Sequence, residues 1–167
     1  YLALVPDKNY FLAEQNGYPS LDYDKLRELV YSNLDTVKTL DIFGTLKLSD
    51  YYTTDTHWKQ ECIGGTAQAI AQGMGFDDRL SWDFESHSLG DFYGVYYGQA
   101  ALPVLPDEMI YLTNDVIDSA EVYNIETQSV TGVYDLDKLT DGKSLDMYDI
   151  YLSGAAAILE ISNPNAK

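Results

Sequence analysis

Basic residues are scarce in this chain: 10 Lys+Arg stand against 27 Asp+Glu over 167 residues, a formal net charge of −17. Nucleic-acid binding relies on Lys and Arg to displace condensed counterions, so this surface excludes a phosphate backbone as partner. Teichoic-type polyanions and anionic lipid headgroups are disfavoured for the same reason. Cysteine is reduced to Cys62, which excludes an internal disulfide and any Cys-based zinc site. No run reaches the roughly 18–20 consecutive apolar residues that a membrane span requires, so no membrane contact by this chain is expected. No charged-then-apolar leader opens it either. The start at Tyr1, inside a strand-like run and without an initiator Met, leads us to expect that an upstream leader or anchor has been removed.

What is present suffices for a core. Apolar residues make up 46% and charged residues only 22%, which fits one ordinary domain or one domain with a modest insertion. Residues 1–5 read as a buried strand that Pro6-Asp7-Lys8-Asn9 ends with turn chemistry, followed by a loop. From Asp22 the positions Leu26, Leu29, Val30, Leu34 and Val37 carry helical spacing, with Ser20, Asp22 or Asp24 as N-cap. Residues 39–43 read as a second strand, so the first 43 residues form a β-α-β unit of the kind that builds a parallel sheet. A polar loop from Asp50 to Trp58 precedes a further helix marked by Ile63, Ala67, Ile70, Ala71 and Met74, which Gly73 or Gly75 can end. Residues 84–139 change texture to Tyr-rich alternating runs and predict a mostly antiparallel β insertion, with a hairpin at Thr127-Gln128-Ser129 and Phe92 to Tyr97 as one of its strands. The run 155–161 predicts a strand that returns to the parallel sheet. The expected division is an α/β core at 1–83 and 140–167 with a β-rich insertion at 84–139.

The strongest chemical signal is Asp55 and His57, two apart in Thr54-Asp55-Thr56-His57-Trp58. In extended backbone such residues point to the same side, so the carboxylate can reach the imidazole. An Asp on one ring nitrogen fixes the tautomer and leaves the other nitrogen to take a proton from a hydroxyl nucleophile. We therefore expect an Asp55–His57 side-chain hydrogen bond at the edge where strand carboxyl ends gather. The residues alone equally allow Asp55 to cap the next helix, with His57 an ordinary loop histidine. Asp83, Glu85 and His87 alternate along one segment and could touch a divalent cation, but one strand face rarely completes a coordination shell; no metal and no cofactor is predicted. The 15 Tyr could stack against sugar rings, although most are expected to fill half-buried sheet faces.

The block Tyr51-Tyr52-Thr53-Thr54-Asp55-Thr56-His57-Trp58 resembles the motif of the DHHW family and of the related alginate O-acetyltransferase-like proteins, members of the SGNH-hydrolase-like superfamily. Weaker likenesses run along nearly the whole chain: Val5-Pro6-Asp7-Lys8, Phe92-Tyr93-Gly94-Val95-Tyr96-Tyr97, and Met147-Tyr148-Asp149-Ile150-Tyr151-Leu152-Ser153-Gly154. The resemblance implies an SGNH-like three-layer α/β sandwich with a parallel sheet, incomplete here, and a Ser-His-Asp triad in which Asp55 orients and His57 is the base. In such proteins the nucleophile lies in an Asp-Ser-Phe/Tyr-Gly motif, which is expected beyond Lys167. Asp118-Ser119 is the only Asp-Ser pair, and Ala120-Glu121 follows it. Ala155 stands where the resemblance leads one to expect an Asn that could bind an oxyanion.

The functional expectation is thus a fragment of an extracytoplasmic O-acetyltransferase or acetylesterase acting on a cell-envelope carbohydrate. This chain alone should be inactive, and its substrate is a carbohydrate or an acyl ester. The competing expectation is a non-catalytic envelope or carbohydrate-binding protein on the same fold. Oligomeric state is not legible in the sequence.

Overall fold

The computed structural model describes residues 1–101, 103–140 and 146–166. They fall into two compact units, Tyr1–Trp82 with Ser88–Ile110, and Asp83–His87 with Tyr111–Lys167. Among the described residues no helix is long and apolar enough to cross a membrane.

The first unit opens with the expected β-α-β arrangement. Strand β1 (Leu2–Leu4) pairs parallel with β2 (Thr39–Asp41), in the register Leu2↔Thr39, Ala3↔Leu40 and Leu4↔Asp41. Between them, however, lie two helices. Helix α1 (Lys8–Asn16) occupies the expected loop: the Asp7 carboxylate accepts from the Tyr10 amide, and Gly17 closes the last turn at φ 66°. Within the expected turn at residues 6–9, Asp7 is the N-cap of this helix. The sequence hides this helix because Ala13 is its one buried residue, so no apolar stripe advertises it. Helix α2 (Tyr23–Ser32) starts on Asp22, whose side chain accepts from the Lys25 amide, as expected. It stops short of Leu34 and Val37 because the Asn33 side-chain Nδ2 donates back to the Leu29 carbonyl and caps the last turn, and Leu34 to Val37 forms a turn.

Helix α3 (Gly64–Met74) is capped by Gly75 in the left-handed conformation at φ 82°, its amide reaching the Ala71 and Gln72 carbonyls. Gly73 has a different use. A Cβ there would stand 2.3 Å from Leu40 Cδ2, so its absence lets α3 lie close on β2. The buried core of this unit gathers Ala13, Ile42, Phe43, Leu46, Tyr51, Tyr52, Ala71, Phe92 and Met109. At its rim the rings of Tyr10, Tyr23 and Phe43 meet edge-on, with centroids 5.1–6.1 Å apart.

Strands β3 (Glu85–Phe92) and β4 (Asp107–Thr113) pair with each other, and the division between the units falls within both. The segment after Phe92 corrects the reading: Val95–Ala100 is helix α4, not a strand. Its Tyr-rich composition suits a sheet, but contacts far along the chain decide otherwise, as the site below shows.

The second unit contains the short helix α5 (Asp115–Asp118) and a three-stranded sheet in the order β6-β5-β7. Strand β5 (Glu121–Asn124) pairs antiparallel with β6 (Ser129–Thr131) through the predicted hairpin, where Gln128 has φ 57° and Asn124 Oδ1 accepts from the Glu126 and Thr127 amides. Strand β7 (Leu159–Ser162) corrects the reading of the chain's end. It pairs antiparallel with β5, Val122 facing Ile161, and does not join the parallel pair. The apolar run 155–161 signals a strand but carries nothing to name its partner. The compact units therefore divide the chain differently from the expected 1–83 with 140–167 and 84–139. Residues 141–145, at the start of the expected returning core segment, lie outside the described residues.

Ile42 is 1% exposed in the first unit and Leu29 is 54% exposed on α2. Ile42→Ala should lower stability by about 2–5 kcal/mol through lost burial and a residual cavity, whereas Leu29→Ala should stay within about 0.5 kcal/mol. Urea unfolding followed by tryptophan fluorescence checks this, since Trp58 and Trp82 both belong to the first unit. Equal costs for the two variants would contradict this placement of the core.

Candidate active site

The polar loop is a closed structure. Tyr51 and Trp58 form an antiparallel bridge, the Tyr52 amide donates to the His57 carbonyl at 3.1 Å, and the Lys59 amide donates to the Asp50 carbonyl at 2.6 Å. Residues 53–56 are the tip. Beneath it Tyr52, fully buried, packs edge-on against Phe92 with centroids 4.9 Å apart.

Two carboxylates and one ammonium hold this backbone. Asp107, at the start of β4, accepts from the Thr53 amide (2.8 Å), the Thr54 amide (2.7 Å) and Thr54 Oγ1 (2.7 Å). Lys8 Nζ, at the start of α1, donates to the carbonyls of Tyr52, Thr53 (3.4 Å) and Asp55 (2.5 Å), and lies 4.8 Å from the centroid of the Tyr96 ring. Asp55 Oδ1 accepts from the His57 amide at 3.0 Å and from His57 Nδ1 at 2.5 Å, while Oδ2 accepts from the Val95 amide at 2.9 Å. The expected Asp55–His57 bond is thus made, with Asp55 fully buried and the His57 side chain 45% exposed.

The same contacts start α4. The amides of Gly94, Val95 and Tyr96 donate to Thr54 Oγ1, Asp55 Oδ2 and the Thr54 carbonyl. A helix leaves its first amides without internal acceptors. Here a loop some 40 residues upstream supplies them. The approach is so close that a Cβ on Gly94 would lie 2.3 Å from Asp55 Cβ and 2.6 Å from the Thr54 carbonyl oxygen.

Electrostatics follow from this geometry. Burial raises the Asp55 carboxyl, but the Val95 and His57 amides and the His57 ring outweigh it and hold its pKa below the ordinary 3.8. Asp107 behaves alike: burial raises it, while the donors at Thr53 and Thr54 bring it below 3.8. Lys8 is lowered by burial, which Asp107 and Asp55 oppose. The buried Asp55 carboxylate bonded to Nδ1 fixes the orientation of the ring and the tautomer of the neutral imidazole.

The other sequence candidates are placed elsewhere or used otherwise. Glu85 and His87 lie on β3 and Asp83 precedes it. The His87 ring stacks on Tyr111, and its Nε2 is 2.7 Å from Thr113 Oγ1. Among the described residues, no group of three or more His, Cys, Asp or Glu side chains is placed to hold a metal ion. Ser119 Oγ donates to the Asp115 and Val116 carbonyls at the end of α5. Ala155 is exposed.

Three residues of the site were missed as such. Lys8 and Gly94 stand within the segments Val5–Lys8 and Phe92–Tyr97, and that position is all the signal the sequence gives for them. Asp107, next to Pro106 and Glu108, gave no signal: a buried acceptor looks like any strand-edge acid.

No protein-family model and no curated protein sequence matches the chain. Solved structures do. A DHHW family protein from Eubacterium siraeum superposes with a TM-score of 0.72 at 18% identity, over 98% of this chain and 57% of that one. The chain has the DHHW fold. It spans a little over half the length of that DHHW family protein. The O-acetyltransferase domain of AlgJ from Pseudomonas putida is a more distant neighbour, with a TM-score of 0.49 at 20% identity over 70% of this chain and 50% of that one. The DHHW resemblance read from Tyr51 to Trp58 is therefore matched by the fold, which is mixed α/β with small sheets.

Two outcomes test the loop. Gly94→Ala should cost about 1–3 kcal/mol by overpacking against Asp55, whereas Gly98→Ala on the same helix, with nothing within 4 Å, should be neutral or gain up to about 1 kcal/mol. Thermal unfolding of both variants measures the contrast, and a neutral Gly94→Ala would contradict the close approach.

The second outcome is a pH dependence. Because the folded pKa of Asp107 is depressed, its contribution is fully present above the unfolded value of about 3.9 and is lost as pH falls through the folded value. Asp107→Asn turns an amide against two backbone donors and should cost about 1–3 kcal/mol at pH 7. That difference from wild type should shrink as the pH is lowered below about 4, read from urea midpoints. Parallel curves for the two proteins would refute it.

Proposed function

We propose that this chain is part of an extracytoplasmic, SGNH-like O-acetyltransferase or acetylesterase acting on a cell-envelope carbohydrate. The observation that carries the reading is the Asp55–His57 pair: a buried carboxylate 2.5 Å from Nδ1 of a histidine whose side chain is 45% exposed, on a loop fixed from three sides. The resemblance of Tyr51 to Trp58 to the DHHW and alginate O-acetyltransferase-like motif supports it.

The chemistry would run as follows. A serine outside residues 1–167, in an Asp-Ser-Phe/Tyr-Gly segment, attacks the carbonyl carbon of an acetyl ester as His57 Nε2 takes its proton. Asp55 holds the ring in the tautomer that leaves Nε2 basic and stabilises the imidazolium that forms. The tetrahedral intermediate collapses, breaking the ester C–O bond, and His57 returns the proton to the leaving alkoxide. The acetyl-serine is then attacked by water in an esterase or by a carbohydrate hydroxyl in a transferase, with His57 again taking the proton; collapse of this second intermediate breaks the acyl C–Oγ bond, and His57 returns the proton to the serine oxygen. The active protein would complete an SGNH-like three-layer sandwich that brings this serine to His57.

Hydrolysis of a chromogenic acetyl ester tests the proposal. The 167-residue chain should show no turnover above background. A polypeptide in which it continues through an Asp-Ser-Phe/Tyr-Gly segment should be active and should lose about 10³-fold or more with His57→Ala. Equal, His57-dependent rates with and without the continuation would place the nucleophile inside residues 1–167. Inactivity of the longer polypeptide with its serine segment intact would favour a carbohydrate-binding protein on the same fold.

A further inference from the structure

Beside the loop, in the first unit, lies a cavity of about 650 Å³ that the chemistry above does not use. Its size falls within the roughly 300–1,000 Å³ of small-molecule sites, and like them it combines apolar walls with few polar groups. Leu12, Leu48 and Tyr96 supply apolar surface, and Lys8 and Lys59 supply charge. Neither Asp55 nor His57 lines it.

The two lysines are not equivalent. An ammonium has three N–H bonds, and those of Lys8 are directed at the Tyr52, Thr53 and Asp55 carbonyls, so Lys8 contributes field but no donor. Lys59 is half-buried, and among the described residues its ammonium makes no hydrogen bond or ion pair. Its charge acts on the Asp107 carboxylate, but that carboxylate's hydrogen bonds go to Thr53 and Thr54 and not to the ammonium. Its backbone is fixed, since the Lys59 amide donates to the Asp50 carbonyl at 2.6 Å.

We infer that this cavity binds a monocarboxylate carried on an apolar body, the carboxylate paired with Lys59 and the body against Leu12, Leu48 and the Tyr96 ring. One available ammonium matches one negative charge. A net charge of −17 works against a ligand with more. The walls accept an aromatic ring, by stacking on Tyr96, or an alkyl chain, against the leucines, and the shared chemistry is the carboxylate on a hydrocarbon.

The test titrates the ¹⁵N-labelled 167-residue chain with benzoate and with hexanoate, which present the two kinds of body. Acetate supplies the charge without a body, and benzyl alcohol and hexan-1-ol supply the bodies without the charge. Saturable amide shifts at Tyr52, Thr53 and Lys59 are expected for at least one of the two larger carboxylates, with affinity about tenfold above acetate and above the matching alcohol. Binding by benzoate alone identifies the aromatic source, and by hexanoate alone the alkyl source. Lys59→Met should weaken binding about tenfold and Lys59→Arg should retain it. The inference is overturned if neither carboxylate gives saturable shifts, if the alcohols bind as well as the acids, or if Lys59→Met titrates like wild type. Should Lys59→Met lose its dispersed spectrum, the acid-to-alcohol ratio of the wild type decides. The readout is binding to a chain from which no turnover is expected, so it stands or falls separately from the acyl-transfer reading.

Discussion

Fixing a polar loop over an apolar core is the constraint on which the first unit depends. Residues 53–56 bring backbone amides and carbonyls into a region where Tyr52, Thr54 and Asp55 are fully or almost fully buried. Each buried polar group left without a partner would cost about 1–3 kcal/mol. Short loops usually solve this with water or a local turn. Here the amides of Thr53 and Thr54 go to the Asp107 carboxylate, and three carbonyls go to the Lys8 ammonium. Charged partners are chosen where bonds must be strong, since a charge-assisted hydrogen bond is roughly twice as strong as a neutral one.

This arrangement ties together segments far apart in the chain. Lys8 opens α1, Asp107 opens β4, and the first amides of α4 end on Thr54 and Asp55. The loop is thereby the node at which the helices and strands of the unit are referenced to one another. The two carboxylates also favour the charged form of the ammonium: Asp107 and Asp55 both act to raise Lys8 against its burial. The consequence for chemistry is rigidity. The His57 ring is held through Asp55, whose loop is bonded to Asp107, to Lys8 and to the first amides of α4.

The second unit uses different means. Its sheet is the β5–β6 hairpin with the last strand, β7, added on the other edge of β5, and an aromatic series runs from Tyr111 through Tyr134 and Tyr151 to Tyr148, with centroids 4.7–5.7 Å apart. After the Tyr134–Tyr151 bridge the backbone passes through three left-handed residues, Leu152 at φ 53°, Ser153 at φ 62° and Gly154 at φ 87°. Left-handed backbone costs a non-glycine residue about 1–2 kcal/mol. Hydrogen bonds offset this cost: the Leu152 amide reaches the Val133 carbonyl, and Ser153 Oγ reaches Thr131 Oγ1 and Asp135 Oδ2. At Gly154 a Cβ would come within 3.0 Å of the Asp149 carboxylate, so glycine is required there twice over.

The sequence by itself determined what is local. Asp22 and the spacing of Leu26 and Val30 specified α2, Gly75 specified the end of α3, Asn124 with Gln128 specified the hairpin, and the two-residue separation of Asp55 and His57 specified their pairing. These signals work because the interacting groups are a few residues apart and the backbone geometry between them is nearly fixed. Tertiary structure decided the rest. Phe92 to Tyr97 has the composition of a strand but bends into α4 because Thr54 and Asp55 offer acceptors to its amides. The run 155–161 promised a strand, yet its antiparallel pairing with β5 depends on a partner more than 30 residues away. Asp107 reads as a surface acid until the fold buries it beneath the loop. A side chain's type limits which bonds it can make, but only the packed chain determines which donors come within reach.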